Sequence, residues 1–392
     1  MKNTHHHIQK ITLLLVRCLL VTIILLLPSS LYSIQYPPVF RSITVSEGLS
    51  HNTINAIYKD TRGFVWLGTQ MGLDRFDGIN VTHFPEISGQ TVFAIEETDT
   101  INLWIGTDKG LIKFNRKTEI AETIVLDDKS LSVKVLFPDK KGRLLVGTSR
   151  GLFLYKDGNF KKVLLDPNAL ASTNNLMDIV NGEDDCVWIA SNGGLIHYNI
   201  AMEKSQVFKN NIRGGFNYYT CLAVLGKTIY LGTANQGMLT FDIEKKTFAV
   251  YPKIGNGCIK TLVPVGTDTL YVGTNGSGIK ILKASTGREV ASMEHSVHEN
   301  AICSNAVYSL LKDKDVLYVG TYMGGLSYTP TCRDVFSVYS FGSKFDSRNL
   351  NVRAFWIGTD GRKVIGTRDG LYYISELSLI HISEPTRRTP IS

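Results

Sequence analysis

The sequence predicts an all-β fold, a propeller of four-stranded antiparallel blades. Three observations carry that expectation. A turn recurs eight times, Gly-Thr followed four or five residues on by a second Gly and an aliphatic residue. The copies are Gly68-Thr69…Gly72-Leu73, Gly106-Thr107…Gly110-Leu111, Gly147-Thr148…Gly151-Leu152, the variant Ala190-Ser191…Gly194-Leu195, Gly232-Thr233…Gly237-Met238, Gly273-Thr274…Gly278-Ile279, Gly320-Thr321…Gly325-Leu326 and Gly366-Thr367…Gly370-Leu371. They begin 38 to 47 residues apart, the length of one blade. The strands beside these turns, such as Leu144-Leu145-Val146 and Leu152-Phe153-Leu154-Tyr155, are apolar on both faces, as a sheet packed between two others must be.

The elements follow in chain order. Residues 1–33 read as a secretory signal: basic Lys2, Lys10 and Arg17, an apolar run from Cys18 to Leu27, then Pro28-Ser29-Ser30-Leu31-Tyr32-Ser33. The alternative is an uncleaved anchor, against which Arg17 leaves the run short of the ~20 residues a span needs. The first blade is the clearest. Ile54-Asn55-Ala56-Ile57-Tyr58 alternates and ends in the turn Lys59-Asp60-Thr61-Arg62-Gly63. Phe64-Val65-Trp66-Leu67 runs into Gly68-Thr69, and Leu73-Asp74-Arg75-Phe76 is joined to Ile79-Asn80-Val81-Thr82-His83-Phe84 by Asp77-Gly78, a strong hairpin signal.

An aromatic stands two residues before the repeat Gly in six copies: Trp66, Trp104, Trp188, Tyr230, Tyr271 and Tyr318. Recurrence at one internal strand position predicts blade-to-blade packing, not sugar stacking. Gly273-Thr274-Asn275-Gly276-Ser277-Gly278 falls in register with the repeat turns and lacks the Lys-Ser/Thr of a phosphate loop. Past the leader the cysteines are Cys186, Cys221, Cys258, Cys303 and Cys332, odd in number and without C-x-x-C spacing. They predict small buried hydrophobes, with no disulfide framework, metal or cofactor. The formal charge is +7; setting aside +3 in the leader and +1 after residue 376 leaves +3, too small and scattered for nucleic acid.

Asp60-Thr61-Arg62-Gly63-Phe64-Val65-Trp66-Leu67-Gly68-Thr69, with Gly72-Leu73-Asp74-Arg75-Phe76-Asp77-Gly78 and the preceding Ser46-Glu47-Gly48-Leu49-Ser50, resembles the two-component regulator propeller family. The resemblance covers about residues 40–374. It implies the periplasmic sensor of a hybrid two-component system that recognises a glycan-derived oligosaccharide. It also implies an inner-membrane parent protein that is a homodimer with a kinase domain in the same chain. Seven copies over residues 34–340 would complete one seven-bladed propeller, and residues 341–376 would open a second, with three strands and no fourth. One eight-bladed ring is the alternative. Phe40-Arg41-Ser42-Ile43-Thr44-Val45 resembles an outer strand able to fasten the ring, in competition with Val335-Phe336-Ser337-Val338-Tyr339. Residues 377–392 resemble the translation of a sequencing adapter and are read as an assembly artefact.

The blade order places the Gly-Thr turns and the blade-to-blade connections on one face, where recognition loops gather. The expected ligand contacts there are Gln70, Asp108, Arg150, Asn192, Asn235, Asn275, Tyr322 and Arg368, with His51, Asn52, Arg213, Asn217 and His298 from the connections. No catalytic residue is expected. The competing readings are a secreted propeller glycosidase or lyase, which would place paired carboxylates or a His-based metal cluster in the axial channel, and a protein-binding scaffold.

Overall fold

The computed structural model describes residues 38–330, apart from 128–130, 166–170, 216, 252–253, 256 and 297–299, together with 352–358, 363–367, 371–374 and 379–383. The chain divides into two compact units, Met1–Thr331 and Cys332–Ser392. The leader, the boundary expected at 340 and the segment 335–339 lie outside the described residues.

The first unit holds seven four-stranded antiparallel sheets. In the first six, four consecutive chain segments pair in sequence order, as in the first blade: Ile54–Lys59, Val65–Thr69, Gly72–Phe76 and Val81–Phe84. The first strands form the inner wall. Those of blades two to seven are Val92–Glu97, Val133–Pro138, Leu176–Asn181, Tyr219–Leu225, Ile259–Val265 and Val307–Asp313, and each packs against the next, the seventh against the first. Seven apolar clusters fill the seven blade interfaces, for example Trp66, Phe84, Leu103 and Phe114 between blades one and two. The repeat aromatics sit there as expected: Trp66, Trp104, Trp188, Tyr230 and Tyr318 are buried, and Tyr271 is half-buried.

The ring is fastened by the segment the sequence picked out. Arg41–Ile43 pairs antiparallel with Leu326–Tyr328 and becomes the outer strand of the seventh blade. Ile43 enters the cluster between blades seven and one, and Phe40 the cluster between blades six and seven. Lys59 and Asp313 form an ion pair across the same seam.

The repeat turn is explained by two atoms. The Thr69 hydroxyl donates to the Gly72 carbonyl at 2.9 Å and accepts the Met71 N–H at 3.1 Å. The equivalent donor bond recurs at Thr107, Thr148, Ser191, Thr233, Thr274 and Thr321. The first glycine is needed for close approach, because a Cβ on Gly68 would stand 2.7 Å from Val92 of the next blade. The second glycine has positive φ, 142° at Gly72, a conformation other residues seldom adopt.

The residues that carried the family resemblance are themselves structural. Asp60 accepts the N–H groups of Arg62 and Phe64 and the Trp66 indole N–H, all within 3.0 Å. Arg116 of the second blade reaches Asp60 at 3.0 Å and Glu97 at 2.7 Å, a buried bridge between blades. Burial works to raise the Glu97 carboxyl, but hydrogen bonds from Arg116 and Thr61 outweigh it and hold the group below the usual range. Asp74, fully buried, accepts both the Ser50 N–H and hydroxyl at 2.8 Å and pairs with His83 at 2.8 Å.

The second unit's sheet consists of Val352–Ile357, Lys363–Thr367, Leu371–Ile374 and Leu379–Ser383. The expectation of three strands and no fourth is therefore corrected. The edge of Leu371–Ile374, whose N–H and C=O groups would otherwise be unpaired, pairs antiparallel with Leu379–Ser383. Cys186, Cys221, Cys258 and Cys303 are free thiols, and Cys332 lies outside the described residues.

Candidate functional site

An axial cavity of about 340 Å³ runs between the seven inner strands. Its shape follows from one local irregularity repeated around the ring. In every inner strand the register slips by one residue after the first position, as between Ile54 opposite Thr69 and Ala56 opposite Gly68. The slip recurs in the other six blades. The extra residue has no cross-strand partner, and such bulges re-aim a side chain. The seven bulged residues are Asn55, Phe93, Lys134, Met177, Thr220, Lys260 and Tyr308, and all line the cavity.

The backbones of these seven repeat, but their side chains are of six kinds, with lysine occurring twice. Asn55 donates to the Val92 carbonyl at 3.4 Å and Thr220 to the Ile259 carbonyl at 2.6 Å, so both tie one blade to the next. Lys134 places its Nζ 3.3 Å from the centre of the Phe93 ring, and Lys260 lies 4.6 Å from that of Tyr308. Among the described residues neither lysine forms an ion pair. Burial lowers the Lys134 ammonium below its ordinary range, partly offset by the Asp108 carboxylate.

Below the bulges two carboxyl groups line the wall. Glu96 is pushed up to about 8 by burial. Asp178 is pushed up to about 6 by burial, although both of its oxygens accept backbone N–H groups, from Ile179 at 2.9 Å and from Leu222 of the next blade at 2.7 Å. No histidine lines the cavity, and no group of three or more metal-ligating side chains occurs among the described residues.

The described residues among those expected at the rim do not line this cavity. Gln70, Asp108, Arg150, Asn192, Asn235, Asn275 and Tyr322 are turn tips, and none lines the cavity. The shared face itself is as expected: the turn N–H groups of Gln70, Asp108, Asn192 and Tyr322 donate to the connections at Thr53, Thr91, Asn175 and Ala306. Most side chains there do turn chemistry. Asp108 accepts the Thr91 N–H at 2.8 Å, the Asn52 carboxamide accepts the Val45 N–H, His51 the Thr53 N–H, and Asn217 the Asn210 N–H. One tip touches a cavity residue, Tyr322 stacking on Tyr308 at 5.3 Å, and Asp108 acts electrostatically on Lys134. Arg213 falls in the short turn Ile212–Gly214, and His298 and Arg368 lie outside the described residues.

The bulge ring carried a signal in the sequence. Its members stand 12 or 13 residues before the first residue of each repeat turn, a fixed register filled by non-repeating chemistry. Positions fixed by blade geometry repeat their residue type, as Gly-Thr does. A position that repeats its place but not its chemistry is free to serve recognition.

Residues 48–71 match the family model described as two component regulator propeller. The resemblance carried by the first blade is thereby borne out over those residues. Among solved structures it is similar to the extracellular domain assigned to the hybrid two-component system BT3049 of B. thetaiotaomicron, at 19% identity and TM-score 0.67, covering 89% of this chain and 49% of that one. A similar likeness is to the extracellular domain of BT4673 from B. thetaiotaomicron, at 17% identity, TM-score 0.64 and coverage of 88% and 47%. Virginiamycin B lyase from Staphylococcus aureus shares the fold at 12% identity and TM-score 0.60, with 74% and 98% covered. The chain spans about half the length of the two extracellular domains it matches. No curated protein matches it.

Proposed function

We propose that this chain is the periplasmic ligand-sensing part of a membrane-bound hybrid two-component sensor, and that a glycan-derived oligosaccharide enters the axial cavity. The observation that carries the reading is the ring of bulged residues, which gives a rigid, repeating frame seven side chains of six kinds at its axis. Aromatic faces beside polar groups in a cavity of this size suit a small saccharide. The family match supports a sensor. The signal would pass to a kinase domain in the same parent chain, within a homodimer, and no nucleic acid is bound.

A rigid ring has no second packing of its own, so the switch on ligand binding would lie at an interface of the parent protein. The reading of a glycosidase or lyase draws on Glu96, whose raised carboxyl resembles a general acid. Its partner would be Asp178, and both oxygens of that group are engaged by backbone N–H donors. This favours binding over hydrolysis. The test is calorimetric titration of the full chain with oligosaccharides released from plant and host glycans. Saturable binding without hydrolysis supports a sensor. Turnover of any of them, or binding of none, refutes it.

A further inference from the structure

The ligand's charge can be argued from the two lysines. Around the axis the bulged residues run Asn55, Phe93, Lys134, Met177, Thr220, Lys260 and Tyr308, blade one to blade seven. Each lysine lies beside an aromatic from the adjacent blade, so blades two and three hold one cation–ring pair and blades six and seven the other. Asn55 separates the pairs on one side, and Met177 with Thr220 on the other. Asn55 and Thr220 each donate to a carbonyl of the next blade, and the Tyr308 ring stacks on Tyr322.

Within a seam so regular, a long charged side chain aimed at the axis does no packing work that Thr220 or Met177 does not do. Lysine is seldom held away from water unless it is paired, and here its neighbour is the negative face of a ring. That contact keeps an ammonium near the axis without neutralising it. The carboxyl groups of the wall do not cancel the two charges: Asp178 faces the seam between blades four and five, and burial favours the neutral form of Glu96. Asp108, the acid that acts on Lys134, keeps one carboxylate oxygen on the Thr91 N–H.

Resting on the sensor reading above, we infer that the cavity selects acidic saccharides, with Lys134 and Lys260 binding carboxylate or sulfate groups on a sugar ring that replaces the ammonium groups on Phe93 and Tyr308. In the free protein each lysine lies on its ring. On binding it turns to the anion, and the exposed ring face takes the apolar face of the sugar. Charge-assisted hydrogen bonds from the two half-buried lysines give the selectivity, because a neutral sugar would leave two cations without partners.

The probes are a disaccharide ending in glucuronic acid, its counterpart ending in glucose, and inorganic sulfate, titrated into the full chain and into Lys134→Gln and Lys260→Gln. The expected result is binding of the acidic disaccharide at least tenfold tighter than the neutral one. Each variant should weaken the acidic ligand about tenfold and so narrow its advantage over the neutral one, and Lys260→Arg should restore part of the loss. Binding by wild type should also weaken as ionic strength rises, a readout independent of whether the variants fold. Equal affinity for both disaccharides, unmoved by either variant, overturns the inference and leaves the sensor reading standing. Sulfate binding with neither disaccharide bound overturns the saccharide assignment. No binding of any probe overturns the inference and weakens the sensor reading with it.

Discussion

Removing the fastening contacts should open the propeller. Phe40 and Ile43 are about 5% and 6% exposed, each in a different blade interface, and the three pairs between Arg41–Ile43 and Leu326–Tyr328 complete the seventh sheet. Truncating a buried Phe to Ala costs about 3–5 kcal/mol and a buried Ile about 2–5 kcal/mol. The double variant Phe40→Ala/Ile43→Ala should therefore lose at least about 5 kcal/mol, a large share of the ~5–15 kcal/mol that holds a native protein together. At roughly 2 °C per kcal/mol for a unit of this size, Tm falls by on the order of 10 °C. Differential scanning calorimetry of the full chain measures it. Ile79→Ala, which truncates a side chain 87% exposed, is the control and should stay within ~1 °C. A double variant that melts with the control would show that the ring does not depend on its N-terminal strand.

Other consequences follow from the same contacts. Arg116→Met leaves Asp60 and Glu97 buried without their cation and should cost about 3–5 kcal/mol at neutral pH. The folded Glu97 carboxyl lies below its ordinary value of 4.5, so its stabilisation is present above that value and is lost as pH falls through the folded one. Denaturation of wild type and variant from pH 7 to pH 3 should thus show the gap narrowing, and a constant gap refutes the assignment. Glu96 has the opposite sign: its folded value of about 8 lies above the unfolded 4.5, so the folded state holds the extra proton and stability declines from about pH 4.5 to about pH 8. Glu96→Gln should flatten that decline and raise Tm at pH 8; an unchanged slope removes Glu96 as its source. Thr148→Val deletes the hydroxyl that donates to Gly151 at 2.7 Å, and chemical denaturation should register a loss of roughly 1 kcal/mol. A variant as stable as wild type would separate the hydroxyl from the turn's stability.

The ring was legible because its geometry forces repetition. Gly68 and its counterparts recur since a Cβ there meets the neighbouring inner strand, and Thr69 recurs since its hydroxyl closes the turn. The fastening strand was legible from Ile43 and its apolar neighbours in an otherwise unassigned segment. The site was not. Loop tips such as Gln70 and Asn235 drew the expectation because polar residues in turns look like ligand contacts. Asn55, Lys134 and Lys260 sit instead inside strands, where alternation alone would place their neighbours inward. The one-residue slip after Ile54 and its equivalents is a matter of hydrogen-bond register, which no residue type announces. The fourth strand of the second unit, Leu379–Ser383, was missed because the open edge it pairs with is a property of the fold.

The most direct test of the axial site is a steric block. Thr220→Trp would fill the cavity from one bulge, while Asn235→Trp adds the same bulk to an exposed turn tip. Calorimetric titration of both with a saccharide that wild type binds should show binding lost in the first and kept in the second, with melting temperatures matched. Retention of binding by Thr220→Trp, or its loss in Asn235→Trp alone, would place recognition on the turns and contradict the account.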